Sequence, residues 1–198
     1  MPLLFFGIGQ IIHVITVTLR NGTSQTVEQG HTVGAALKAC GVKVGTDILA
    51  AKVNGKVVDL SCPLTGDATV EPITFASDEG REVYRHSSTH IMAQAVKEVF
   101  PTAQLTIGPA LEDSFFYDFA FDRPFTPEDL EKIEARARDI IKRNLQVTRT
   151  EFSKQAAIDF FQARGEGYKV ELIQGFPDGE PISTYSQGEF VDLCRGPH

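Results

Sequence analysis

Cysteine is scarce and irregularly placed in this chain of 198 residues. Cys40, Cys62 and Cys194 are an odd number at wide spacing, which excludes a disulfide-stapled secreted domain and favours a reducing, cytoplasmic compartment. No apolar run reaches the ~20 residues that a membrane-spanning helix needs. The most hydrophobic stretch, MPLLFFGIGQII, is interrupted by Gly7, Gly9 and Gln10 and has no basic segment before it. It therefore reads as neither a span nor a leader, but as an extension, residues 1–12, before the first strand. Positive charge is in the minority, with 19 Lys and Arg against 26 Asp and Glu and a net charge of −7. Both halves share the deficit, five basic against seven acidic residues through Gly80 and fourteen against nineteen beyond it. This excludes indiscriminate binding of nucleic acid through a basic surface. There is no internal repeat and no low-complexity segment. What remains, 42% hydrophobic and 23% charged, has the composition of a globular protein, with length for one large domain or two small ones.

Two modules are legible in the pattern. β-Branched residues from Ile12 to Leu19, an Asn21-Gly22 turn and Ser24–Val27 predict a hairpin. Thr32 is placed to cap a short helix that Gly41 stops. A second Asn-Gly hairpin follows over 49–59, then a strand over 67–73. Such an order predicts a small ubiquitin-like α+β sheet with one helix packed across it. Ser77-Asp78-Glu79-Gly80 reads as the boundary. Beyond it, the pattern predicts helices over 82–100, from Thr126 onward through Ile141, and over 153–164, and strands over 105–109, 115–119, 169–173 and 189–194. Thr126, Pro127 and Asp129 form a capping-box start, with Leu130, Ile133, Ile140 and Ile141 as the buried stripe of that helix.

Chemistry concentrates in two short motifs. HSSTH puts His86 and His90 four residues apart on a helix, hence on one face. CRGPH puts Cys194 and His198 four apart across a tight loop. The quartet is a ligand set acceptable to Zn²⁺, or it acts without metal, its imidazoles and thiol holding substrate hydroxyls and a hydrolytic water. The strand period places Asp192 on the same face as Cys194, with Val191 and Leu193 opposite. Lys169 is a single charge entering a segment read as a strand, within reach of a reacting ester or else a solvated lysine.

These residues carry a resemblance. HSSTH, IGP, FFYDF, RGEGYKVEL and EFVDLCRGPH resemble the N-terminal editing domain of bacterial-type threonyl-tRNA synthetases. VTLRNG, AAKVNGKVVDL and DATVEPITF are similar to the ubiquitin-like TGS domain that precedes it there. The resemblance covers residues 13–198 and departs from the family at Arg20, where a proline is common, and at Ser88, where cysteine or alanine is common. It implies an α+β chain: a β-grasp TGS domain over 13–76, then an editing domain over 81–198 with a mixed or antiparallel sheet and helices, cut short at its C-terminal end. It also implies proofreading. One methyl group separates serine from threonine and is worth only ~1–3 kcal/mol in a binding site, so a second site hydrolyses mischarged seryl-tRNA(Thr). By motif, His86, His90, Lys169, Asp192, Cys194 and His198 become the catalytic group, with Gly108 and Tyr117 shaping the place of the terminal adenosine and seryl group. His86 and Lys169 would position or activate water; Cys194 and His198 would hold the hydroxyls.

The family's editing domain is not generally metal-dependent, so no cofactor is expected for this part. Zinc at His86, His90, Cys194 and His198 stays an alternative. ATP and zinc belong to the synthetic core that this chain lacks, and the family's homodimer forms through that core. The implied partners are tRNA(Thr) and Ser-tRNA(Thr), in the cytoplasm and without a membrane. Two other readings stand beside this one, a non-catalytic TGS-containing tRNA-binding or regulatory module and a freestanding trans-editing factor. A local excess of Lys132, Arg136, Arg138, Lys142, Arg143, Arg149 and Lys154 over Glu134, Asp139 and Glu151 is either a surface for tRNA or a solvated helix face.

Overall fold

The computed structural model describes residues 3–5, 11–108, 111 and 113–198. They fall into two compact units, one running through Tyr84 and including Gly196–His198, the other Arg85–Arg195.

The first unit is a six-stranded mixed sheet under one helix. Of the expected extension 1–12, Leu3–Phe5 form β1, antiparallel to the start of β2 (Ile11–Leu19); residues 1, 2 and 6–10 lie outside the described residues. β2 turns at Gly22, whose φ of 88° suits glycine, into antiparallel β3 (Ser24–Glu28). Thr32 caps α1 (Val33–Ala39) as its spacing predicts, its hydroxyl accepting from the N–H of Ala35 at 3.2 Å. β4 (Ile48–Val53) and β5 (Lys56–Val58) form the second hairpin, and β6 (Ala68–Thr74) lies between β2 and β4, parallel to the first and antiparallel to the second. Asn54 and Gly55, both at positive φ, give that hairpin the turn geometry that matches strand twist. Val17, Val33, Ala36, Leu37, Ala51 and Val70 are fully buried between sheet and helix.

The sequence places the next helix at Glu82, but α2 runs Asp78–Val99. Ser77 accounts for the earlier start: its hydroxyl accepts from the N–H of Gly80 at 3.1 Å, so the polar stretch read as a boundary forms the first turn. Gly80 is required there, because a Cβ would lie 1.9 Å from the carbonyl oxygen of Thr74.

In the second unit, α2 continues and packs against α3 (Pro127–Arg143) around Val96, Ile133, Ile140 and a group of phenylalanines. The capping box of α3 is present, with Thr126 and Asp129 exchanging side-chain and backbone bonds. Its buried stripe is narrower than the sequence suggests. Leu130 and Ile141 are 57% and 63% exposed, because at 100° per residue they fall well to one side of the Ile133–Ile140 line. The strands expected over 105–109 and 115–119 shrink to β7 (Gln104–Leu105) and β8 (Phe119–Ala120), paired antiparallel; Pro109 lies outside the described residues.

A three-stranded antiparallel sheet completes the unit, with β10 (Ile182–Gln187) between β9 (Val147–Phe152) and β11 (Phe190–Leu193). The sequence reading missed β9 and β10. Between β9 and β10 lie α4 (Lys154–Ala163), capped by Ser153, and α5 (Gly167–Gln174). The latter corrects the strand expected over Lys169–Ile173. Val170 and Ile173 suggest a strand, but Lys169 and Ile173 are the buried pair, four apart on one helix face. The class is α+β, a β-grasp-like sheet followed by an antiparallel sheet with helices. Among the described residues no helix is long and apolar enough to cross a membrane.

Candidate functional site

A cavity of about 510 Å³ opens in the second unit. Helix α2 supplies its first wall. His86 and His90 project one turn apart, with ring centroids 5.4 Å from each other and planes nearly perpendicular. Buried Thr89 donates to the carbonyl of His86 at 2.6 Å and holds the turn between them. From the end of β11, Cys194 brings Sγ to 3.1 Å from Nε2 of His86. The backbone N–H of Cys194 donates to the carbonyl of Ser183 at 3.1 Å, and the Ser183 hydroxyl donates back to the Cys194 carbonyl. The thiol is thus fixed by the β10–β11 pairing.

Beneath this pair lies a closed polar ring. Lys169 and Asp192 are 3% and 2% exposed and form an ion pair of 2.7 Å. The Lys169 ammonium donates to the carbonyl of Thr106 at 2.7 Å and to the Tyr117 hydroxyl at 3.0 Å. That hydroxyl donates to Asp192 at 2.6 Å. The Asp192 carboxylate also accepts from the N–H of Leu193 at 2.7 Å. All three ammonium donors are therefore engaged, which corrects the picture of Lys169 as a group reaching for water: it holds Asp192 and Tyr117. A buried charge needs such complete pairing.

The start of α5 aims Lys169. Buried Glu166 precedes the helix; its carbonyl accepts from the N–H groups of Lys169 and Val170, and its carboxylate pairs with Lys97 at 2.8 Å. Gly108 lies against the Tyr117 ring, where a Cβ would come within 2.2 Å of a ring carbon.

Electrostatics separate the two histidines. Burial first, then the charges of His86 and Lys169, push His90 down to about 3, so it is a neutral imidazole at physiological pH. Its 3.9 Å approach to Asp192 is accordingly no ion pair. The Phe190 ring meets His90 edge-on at 6.0 Å and supplies part of its apolar surroundings. Burial and the adjoining Asp192 raise the Tyr117 hydroxyl far above its ordinary range, so it stays a donor. His86 is half-buried and lines the cavity.

Seven of the eight expected residues, His86, His90, Gly108, Tyr117, Lys169, Asp192 and Cys194, line this one cavity. His198 is grouped with the first unit, where its N–H donates to the Asp59 carboxylate at 2.8 Å. Sequence reasoning missed Thr106, Glu166 and Ser183; a lone glutamate between Gly165 and Gly167 was the one available signal. The suspected basic surface is not a field of free cations. Lys132, Arg136, Arg138, Lys142, Arg143, Arg149 and Lys154 each lie within 4.0 Å of a carboxylate. As for a metal, ligand atoms of His86, His90 and Cys194 lie within 4.8 Å of one another, and their types suit zinc.

Comparison with known proteins bears on both units. Residues 15–74 match the TGS domain. A threonine–tRNA ligase of Symbiobacterium thermophilum is 51% identical over 93% of this chain and 28% of its own length. Those of Aromatoleum aromaticum and Caldanaerobacter subterraneus are 46% and 45% identical over 92% and 98% of this chain, again covering 28% and 30% of their own. The chain spans less than a third of the length of these curated relatives. With a TGS domain in its first unit and this identity running on through its second, the chain is similar to the N-terminal region of bacterial threonine–tRNA ligases.

Proposed function

We propose that the second unit hydrolyses the ester of mischarged seryl-tRNA(Thr), as the proofreading part of a threonine–tRNA ligase whose ATP-dependent ligation and dimer contacts reside in other sequence. The observation that carries this is the pairing of half-buried His86 with Cys194 above the buried Lys169–Tyr117–Asp192 ring, all in one cavity. Water attacks the ester carbonyl. His86, the more accessible imidazole, takes the water's proton and returns it to the ribose oxygen as the acyl–oxygen bond breaks, leaving free serine and the ribose hydroxyl; such general acid–base help is typically worth ~10²–10⁴-fold in rate. His90, neutral and buried, takes no part in that transfer and orients polar groups instead. The ring of Lys169, Tyr117 and Asp192 is a rigid floor that needs no rearrangement as charge develops. Cys194 holds a seryl or ribose hydroxyl through its thiol.

Deacylation of Ser-tRNA(Thr) and Thr-tRNA(Thr) by the 198-residue chain tests the reading. The seryl ester is expected to be hydrolysed faster by the ~10–200-fold that one methyl group is worth. Equal rates, or none, would leave the non-catalytic RNA-binding module as the better account. Cys194→Ala separates two chemistries: substantial residual hydrolysis fits water attack, whereas complete loss points to a thiol nucleophile and a seryl-enzyme. Zinc, held by His86, His90 and Cys194, would polarise the carbonyl or acidify water. Chelation decides between the two: hydrolysis that persists in protein shown metal-free by metal analysis favours the metal-free reading, and loss that zinc restores favours the zinc site.

A further inference from the structure

Among the described residues, most of the cationic side chains of the second unit have a carboxylate partner, ten of its Lys and Arg side chains lying within 4.0 Å of one. Of the three others, Arg85 reaches the carbonyl of Leu111 at 3.5 Å, and Arg164 donates to the carbonyl of Glu189 at 3.1 Å while lying over the Phe160 ring. Arg195 differs from both. It is exposed, it lines the cavity, and its contact is with the ring of Phe176, 5.8 Å from the guanidinium carbon. A guanidinium laid on an aromatic face is held in orientation while its N–H fork stays available at the edge. Glu180 also lines the cavity, and among the described residues it forms no ion pair with Arg195.

We propose that Arg195 binds the phosphate that joins the esterified terminal nucleoside of the RNA to its neighbour. The proposal rests on the hydrolase reading and names how the polynucleotide part of its substrate is recognised. Charge decides which part of the substrate belongs at Arg195. The aminoacyl group carries its own ammonium, which a guanidinium repels, and the ester itself is neutral. The phosphodiester is the substrate's anionic group. Lys169, the other cation in the lining, has no donor left to offer it. Bidentate N–H bonding to a phosphate is what the guanidinium fork suits.

The test compares two small esters, seryl-adenosine with and without a 5′-phosphate, alongside seryl-tRNA(Thr), on the wild-type chain and on Arg195→Gln. The wild type is expected to favour the phosphorylated ester in kcat/KM by about tenfold, the order of one charge-assisted bond. Arg195→Gln is expected to bring that ratio close to one, through KM. The dependence of log kcat/KM for seryl-tRNA on log salt is expected to lose about 0.7 of its slope, one phosphate contact on a single strand. Arg195→Lys should recover the salt slope but only part of the preference, because the ammonium keeps the charge and lacks the fork. A ratio and slope in Arg195→Gln equal to those of the wild type overturn the assignment. If the wild type cleaves none of the esters, the hydrolase reading fails and calorimetry decides Arg195 separately. Tighter binding of adenosine 5′-monophosphate than of adenosine, lost in Arg195→Gln, upholds the assignment, and equal binding of the two overturns it.

Discussion

The two units bury different things. The core of the first consists of Val17, Val33, Ala36, Leu37, Ala51, Val70 and their apolar neighbours, and its hydrogen bonds lie mainly in sheet, helix and turns. The second buries Lys169, Asp192, His90, Glu166 and the hydroxyl of Tyr117. An apolar core is tolerant, since similar volumes repack at small cost. A buried ionic ring is not, because losing one member strands the others in a medium that solvates them poorly. In this molecule Lys169, Asp192, His90 and Tyr117 line the same cavity as His86 and Cys194.

That contrast can be broken by mutation. The largest effect is expected from Asp192→Ala, which leaves a buried ammonium without its partner. A loss of about 3–5 kcal/mol in stability, together with loss of seryl-tRNA hydrolysis, would be read by denaturant unfolding and deacylation. Asp192→Asn should recover part of the stability and little of the activity, because it restores an acceptor but not the charge. In the first unit, Leu37→Ala is expected to cost about 3 kcal/mol through the cavity it leaves. Deacylation per folded molecule should stay at the wild-type rate.

His90 sharpens the comparison through pH. Its pKa is depressed in the folded chain to about 3 from an ordinary 6.5. Between these values the unfolded chain takes up a proton that the native chain does not. The stability this group contributes is therefore complete above about pH 6.5 and is lost as pH falls toward 3, at up to about 1.4 kcal/mol per unit. His90→Gln should flatten that part of a stability–pH curve; an unaltered curve would show that His90 is not buried neutral. The smallest effect, about 1 kcal/mol, is expected for Thr126→Ala, which removes the α3 cap.

Local signals were read accurately where the physics is local. The Asn-Gly turns, the caps at Thr32 and Thr126, and the strands of the first unit beyond the 1–12 stretch follow from φ preferences, side-chain-to-backbone bonding and β-branching. The four-residue spacing of His86 and His90 fixed their common face. Reading failed where a short segment suits two periods. Lys169–Ile173 alternates well enough for a strand, yet the carbonyl of Glu166 starts a helix there. Apolar character alone assigns Leu130 and Ile141 to a core, although helix geometry turns them outward.

The sequence by itself determined the order of hairpins, helix and final strand in the first unit, the boundaries of most helices and the identity of the reactive groups, because turns, caps and periodicity act over a few residues. Tertiary structure decided what those groups can do. Nothing local tells Lys169 that its three donors will be taken by Thr106, Tyr117 and Asp192, from positions far apart in the chain. Nor does local sequence tell His90 that burial will keep it neutral, or distinguish Arg195, without a carboxylate partner among the described residues, from ten cations that have one. Charge state depends on desolvation and on partners at a few ångströms, and both are set only when the chain has folded.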